Sequence, residues 1–156
     1  MTILIVEDDE NKRIQLSQFL QAVIPNEDVQ LQRSLQSGVK KIRQQTFDFI
    51  ILDMTLPQYD LSPDEPSDDT HIFGGQEFLA QMERFDVRTP VVVFTQFEVF
   101  GKPPNEMNLE SLDLKLKAEY PGVYKGVVYY HSSINSWKQQ LKDKFIEHGF
   151  SCKGEM

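Results

Sequence analysis

Three apolar runs in this chain each end in an acidic or hydroxyl residue: Ile3-Leu4-Ile5-Val6 before Glu7-Asp8-Asp9, Phe49-Ile50-Ile51-Leu52 before Asp53, and Val91-Val92-Val93-Phe94 before Thr95. Runs this short and continuously apolar fit strands buried on both faces, as in a parallel sheet covered by helices. Parallel strands bring their carboxyl ends to one edge, so Asp8, Asp9, Asp53 and Thr95 are expected together there. In open α/β sheets that edge is where ligands bind, which makes these carboxylates candidates for chemistry.

Helical patterns between the strands complete a βα alternation. The first strand is expected over 2–6, followed by a helix with Leu16, Phe19, Leu20 and Val23 on one face and Pro25 beyond its end. Val29 and Leu31 alternate with glutamines in a shorter strand near the sheet edge, and Ser34 reads as the N-cap of a helix carrying Leu35, Val39 and Ile42. The third strand is expected over 48–53. A long polar stretch then runs through Phe73, with Pro57, Pro63 and Pro66, before Gly74 and Gly75 open a helix whose Phe78, Leu79 and Met82 face inward. Structureless loops beyond about 12–15 residues are uncommon in compact domains unless they are functional or disordered.

The fourth strand is expected over 91–95. After an irregular region, Leu109, Leu112 and Leu116 recur at helical spacing. The fifth strand is expected from Gly126 to about His131, and a last helix from near Ser133 puts Ile134, Trp137, Leu141 and Phe145 on one stripe. The expected architecture is a single α/β domain over 1–156, a (βα)5 three-layer sandwich around a central five-stranded parallel sheet.

Charge narrows the partners. The 156 residues carry 24 acidic and 16 basic side chains, a formal charge of −8, against the basic surface that phosphate-backbone binding needs. Asp60, Asp64, Glu65, Asp68 and Asp69 lie in one stretch without a Lys or Arg; without those five, 19 acidic residues stand against 16 basic. The acidity therefore belongs to the loop at about 57–74. A single cysteine, Cys152, offers no internal disulfide. No stretch reaches the ~20 apolar residues of a membrane helix and no signal peptide opens the chain, so a cytoplasmic protein with no membrane contact is expected.

Glu7-Asp8-Asp9, Asp53 within Leu52-Asp53-Met54-Thr55-Leu56-Pro57, and Thr95 together resemble the receiver domain of two-component response regulators, and the resemblance spans nearly the whole chain. It implies the flavodoxin-like strand order, Asp53 as phosphoacceptor, and weak Mg²⁺ binding by Asp8, Asp9, Asp53 and the backbone carbonyl of Thr55. It implies Thr95 and Tyr129 as switch residues. The implied partners are a sensor histidine kinase or phosphotransfer protein upstream and a protein target downstream, with neither direct DNA binding nor an enzymatic activity of its own. Homodimerisation through the surface of the fourth helix, fifth strand and fifth helix is one further option.

The chemistry suits these residue types: phosphoryl transfer to a carboxylate needs an ionised nucleophile and compensation for charge on the phosphoryl oxygens. Mg²⁺ prefers hard oxygen ligands and takes one or two carboxylates with waters and phosphate oxygen.

The pattern departs from the family at the fifth strand. A receiver ends it with lysine and proline, whereas here the sequence is Val127-Val128-Tyr129-Tyr130-His131-Ser132-Ser133. Ser132, or His131 under an alignment shifted by one, takes the lysine position. Gln96 follows Thr95 where a small residue is usual, and the loop after the third strand is long. Two readings stay open: a stand-alone phosphorylatable receiver, and a phosphorylation-independent pseudo-receiver acting as an adaptor. A haloacid dehalogenase-like phosphatase would need a second acid where Thr55 stands, and no glycine-rich phosphate loop follows the first strand.

Overall fold

The computed structural model describes residues 1–59, 70–71, 74–100, 106–131 and 133–153. The acidic residues from Asp60 to Asp69, and Ser132, lie outside the described residues. The elements run β1 (Thr2–Val6), α1 (Glu10–Val23), β2 (Asp28–Gln32), α2 (Leu35–Gln44), β3 (Phe49–Leu52), β4 (Leu56–Pro57), β5 (Thr70–His71), α3 (Gly74–Arg84), β6 (Val91–Thr95), β7 (Val99–Phe100), β8 (Met107–Asn108), α4 (Leu109–Glu119), β9 (Tyr124–Tyr129) and α5 (Ser136–Glu147).

The central sheet has five parallel strands in the order β2-β1-β3-β6-β9. This is the flavodoxin-like order, with β1, β3 and β6 interior, as their unbroken apolar runs require. Edge strand β2 alternates instead, and Leu31, one residue before its end, is 40% exposed.

Two apolar layers sandwich the sheet. One joins Leu4, Val6, Ile50, Leu52, Val91 and Val93 to α2, α3 and α4 through residues such as Leu35, Phe78 and Leu112. The other joins Ile3, Ile5, Phe49, Ile51, Val92 and Phe94 to α1 and α5 through Leu16, Phe19, Trp137, Leu141 and Phe145. Odd and even positions of each strand feed opposite layers, as the period of two dictates.

In β9 a bulge resets that alternation. Val91 pairs with Tyr124 but Val93 pairs with Val127, one residue more on β9, and Gly126 within the irregularity has φ +124°. A side chain is strained in that backbone region, so glycine suits it. Beyond the bulge Val127 packs on the α4 layer while Val128 and Tyr130 join the α1/α5 layer. Tyr129 therefore falls on the α4 side and Tyr130 on the other, the opposite faces expected of neighbours in a strand.

Three expectations change in detail. The fifth strand begins at Tyr124 rather than Gly126, since the bulge hides Gly126 inside the ladder. Ile134 is 51% exposed and precedes α5; an isolated bridge with His131 holds it in a turn, so the helical stripe starts at Trp137. The two irregular regions carry short antiparallel ladders, β4–β5 and β7–β8, next to the strand ends that bear Asp53 and Thr95. No helix among the described residues is long and apolar enough to cross a membrane.

Candidate functional site

Asp53 follows the last residue of β3, its backbone N–H donating to the Val6 carbonyl over 2.9 Å, which pins it beside the end of β1. It is 3% exposed. Close packing behind it comes from Gly75 at the start of α3, whose N–H donates to the Met54 carbonyl at 2.8 Å. A Cβ there would sit 2.7 Å from the Asp53 carbonyl oxygen and 2.8 Å from Met54 Cα. Glycine at this position lets the helix approach the acceptor loop.

The acidic cluster after β1 divides into three roles. Glu7 turns inward and is 1% exposed. Asp8 is half-buried, and its backbone carbonyl accepts Arg13 Nη1 at 2.6 Å. Asp9 caps α1: its Oδ2 accepts the Lys12 backbone N–H at 2.9 Å, one of the donors a helix amino terminus leaves unpaired. Asp9, expected as a metal ligand, thus serves the helix end, and Glu7 is the carboxyl that meets Asp53.

Between Glu7 and Asp53 lies a residue the sequence reading did not single out. Lys12, in the first turn of α1, is 1% exposed, with Nζ 3.0 Å from Glu7 Oε1 and 3.3 Å from Asp53 Oδ1. The Phe94 ring lies beneath it, its centroid 5.7 Å from Nζ. A signal for this residue was present: it stands four positions before Leu16 and seven before Phe19, on the stripe by which α1 packs against the sheet.

Burial and pairing set the protonation. Burial, then the charge of Asp53, push Glu7 well above the usual carboxylate range, against the opposing pull of Lys12. Asp53 is also raised by burial, but Lys12, the Glu7 carboxyl and the Thr55 N–H at 3.4 Å all favour its ionised form. Burial would lower Lys12, but the fields of Asp53 and Glu7 outweigh it and the net shift is upward. Two carboxyls and one lysine amine thus share a single buried cluster. Asp8 is raised by burial against the opposing charges of Arg33 and Arg13.

Thr95 closes the adjacent strand end, fully buried, with Oγ1 accepting the Phe97 N–H at 3.1 Å and its carbonyl accepting the Tyr130 N–H at 2.7 Å. It pairs with Tyr129 in the β6–β9 register. Gln96 is exposed. His131, one candidate for the lysine position, is exposed, and its Nδ1 accepts the Ser133 N–H at 3.1 Å within the turn. Structure therefore brings Glu7, Lys12 and Asp53 into direct contact, sets Asp8 and Thr95 on flanking strand ends, and uses Asp9 and His131 in local backbone turns.

Comparison with known proteins agrees with this fold. The family model described as the response regulator receiver domain matches residues 3–103, ending before α4, β9 and α5. The chain is 37% identical over 146 residues to the y4jR protein of Sinorhizobium fredii (strain NBRC 101917 / NGR234), covering 92% of this chain and 95% of that one. It is 30% identical over 149 residues to the Detocs response regulatory protein DtcB of Enterobacter cloacae (strain JD6301), covering 94% and 99%. Among solved structures, the Mn²⁺-bound response regulator Rcp1 aligns with a TM-score of 0.62 at 18% identity over 98% of this chain and 99% of that one. A CheY-like receiver domain protein from Methanospirillum hungatei JF-1 aligns with a TM-score of 0.61 at 19% identity over 94% of each chain.

Proposed function

Because the chain belongs to the response regulator receiver family of two-component signalling, we propose that it accepts a phosphoryl group on Asp53 and so alters a surface that a protein partner reads. The observation that carries this is Asp53 itself: a buried carboxyl at the carboxyl edge of the sheet, held by a lysine and a backbone N–H. A stability role alone gives little reason to bury a carboxylate there, since buried ion pairs are weak stabilisers. The donor is a phosphohistidine on a sensor kinase or phosphotransfer protein in the cytoplasm. An Asp53 oxygen attacks phosphorus, the N–P bond breaks, and the imidazole nitrogen keeps the electron pair and takes a proton from water.

The residues fit a hard divalent cation such as Mg²⁺. No cluster of three acidic, imidazole or thiol side chains forms a metal site among the described residues, but Mg²⁺ needs only one or two carboxylates and keeps several waters. Asp8, Asp53 and the Thr55 carbonyl are the oxygens that would hold it, with Asp9 committed to its helix cap. When bound, such an ion offsets charge on the phosphoryl oxygens. Thr95 acts as the switch by moving its hydroxyl from Phe97 N–H to a phosphoryl oxygen, with Tyr129 on the α4 side following it. The signal passes through protein contacts, consistent with the acidic charge.

Incubation with Mg²⁺ and acetyl phosphate, followed by intact mass measurement, tests the reading. One added phosphoryl group on the wild type and none on Asp53→Asn is the expected result. No addition to the wild type removes the reading and leaves the adaptor alternative.

A further inference from the structure

We propose that Lys12 is the cation that binds the phosphoryl group on Asp53, reached from helix α1 rather than from the end of the last strand. This rests on the reading of Asp53 as phosphoacceptor.

Lys12 occupies a place that disfavours a lysine on every count except one. It is 1% exposed, and it lies in the first turn of α1, where the helix field opposes positive charge. Among the described residues, the carboxyls that compensate it are Glu7 and Asp53. Among the described residues no other cation pairs with Asp53; Arg13 and Arg33 act on Asp8 instead. The described part of the strand end offers no substitute, since His131 is exposed and engaged with Ser133. The pocket is thus supplied with its cation by a different element.

The geometry suits the transfer. Asp53 Oδ1, an oxygen of the attacking carboxylate, is 3.3 Å from Nζ. An ammonium has three donors on a flexible stem. Glu7 and Asp53 face two, which leaves a third for a phosphoryl oxygen. The new O–P bond forms as the donor's N–P bond breaks, bringing roughly −1.5 to −2 of charge into the pocket. Lys12 stays an ammonium throughout and gives up no proton; its part is to offset that charge where it develops.

Lys12→Met keeps the stem length and removes the charge. Wild type, Lys12→Met, Lys12→Arg and Lys12→Met with Ser132→Lys are treated with Mg²⁺ and acetyl phosphate, and phosphoryl gain is followed by intact mass beside a melting curve of each. Losing a charge-assisted contact predicts a roughly 10- to 100-fold slower gain for Lys12→Met, partial activity for Lys12→Arg, and partial recovery when Ser132→Lys returns a cation at the family's aligned lysine position. A Lys12→Met protein that gains phosphate at the wild-type rate, whatever its melting temperature, overturns the proposal. Should Lys12→Met not fold, the side-chain ammonium resonance of Lys12 in wild type decides: it shifts on phosphorylation if Lys12 binds the group, and an unchanged resonance overturns the proposal. No phosphate on wild type removes the Asp53 reading and this one together; phosphate on wild type with an indifferent Lys12→Met removes this one alone.

Discussion

Asn11 Nδ2 donates to the Tyr130 hydroxyl over 3.0 Å, joining the first turn of α1 to the end of β9. Tyr130 is buried between Phe94 and Trp137, with ring centroids at 5.3 and 5.4 Å, so the bond ties the residue next to Lys12 to a fixed aromatic wall. Two elements far apart in sequence are held in register at the edge where Asp53 lies.

Tyr130→Phe removes that bond and keeps the ring. It is expected to lower stability by about 0.5–1.5 kcal/mol, the usual net worth of one neutral hydrogen bond. Urea denaturation checks this, and an unchanged midpoint would show that the bond contributes nothing.

Glu7 gives a pH signature. Its folded-state pKa lies well above the ordinary value of 4.5, so between the two the native protein holds a proton that the unfolded chain releases. The resulting stability is fully present below the unfolded value and is lost as pH rises through the folded one. Glu7→Gln mimics the protonated form without titrating. Its stability relative to wild type is therefore expected to rise from pH 4.5 upward, measured by denaturation at successive pH values. A difference that stays flat with pH would place the proton elsewhere.

Gly75→Ala forces a methyl group into the carbonyl of Asp53 and Cα of Met54, both backbone neighbours that cannot rotate away. Overpacking of this kind costs about 1–3 kcal/mol. Because the clash falls on the acceptor loop, phosphoryl gain should fall as well. Thermal melting and intact mass read the two effects, and wild-type values for both would contradict the close-approach account.

Much of this was legible in the sequence because parallel strands buried on both faces leave unbroken apolar runs, and such runs place their ends on one edge. Ile3 to Val6, Phe49 to Leu52 and Val91 to Phe94 carried the sheet order's interior, and Asp53 and Thr95 fell at their ends as expected. Less legible was anything set by a single side chain's direction. Asp9 and Glu7 are both acids beside Asp8, and only the capping bond to Lys12 N–H separates their roles. Lys12 sits among Glu10, Asn11 and Arg13 and reads as a solvated first turn unless the apolar stripe is extended back from Leu16. The bulge at Gly126 was hidden because one extra residue in a strand leaves no mark in composition, yet it decides which of Tyr129 and Tyr130 faces α4. The Ile134 stripe failed for a local reason: a turn closed by His131 delays α5 to Ser136.

The central claim is that the cation serving Asp53 comes from α1, so phosphorylation must be felt there. Amide NMR spectra of the wild type before and after phosphodonor treatment test this most directly, with Asp53→Asn as the blank. The account predicts shifts at Asp9 to Arg13 and at Tyr130, linked through Asn11, alongside those at Thr95. Shifts confined to α4 and β9, with the first turn of α1 unmoved in a phosphorylated protein, would contradict it.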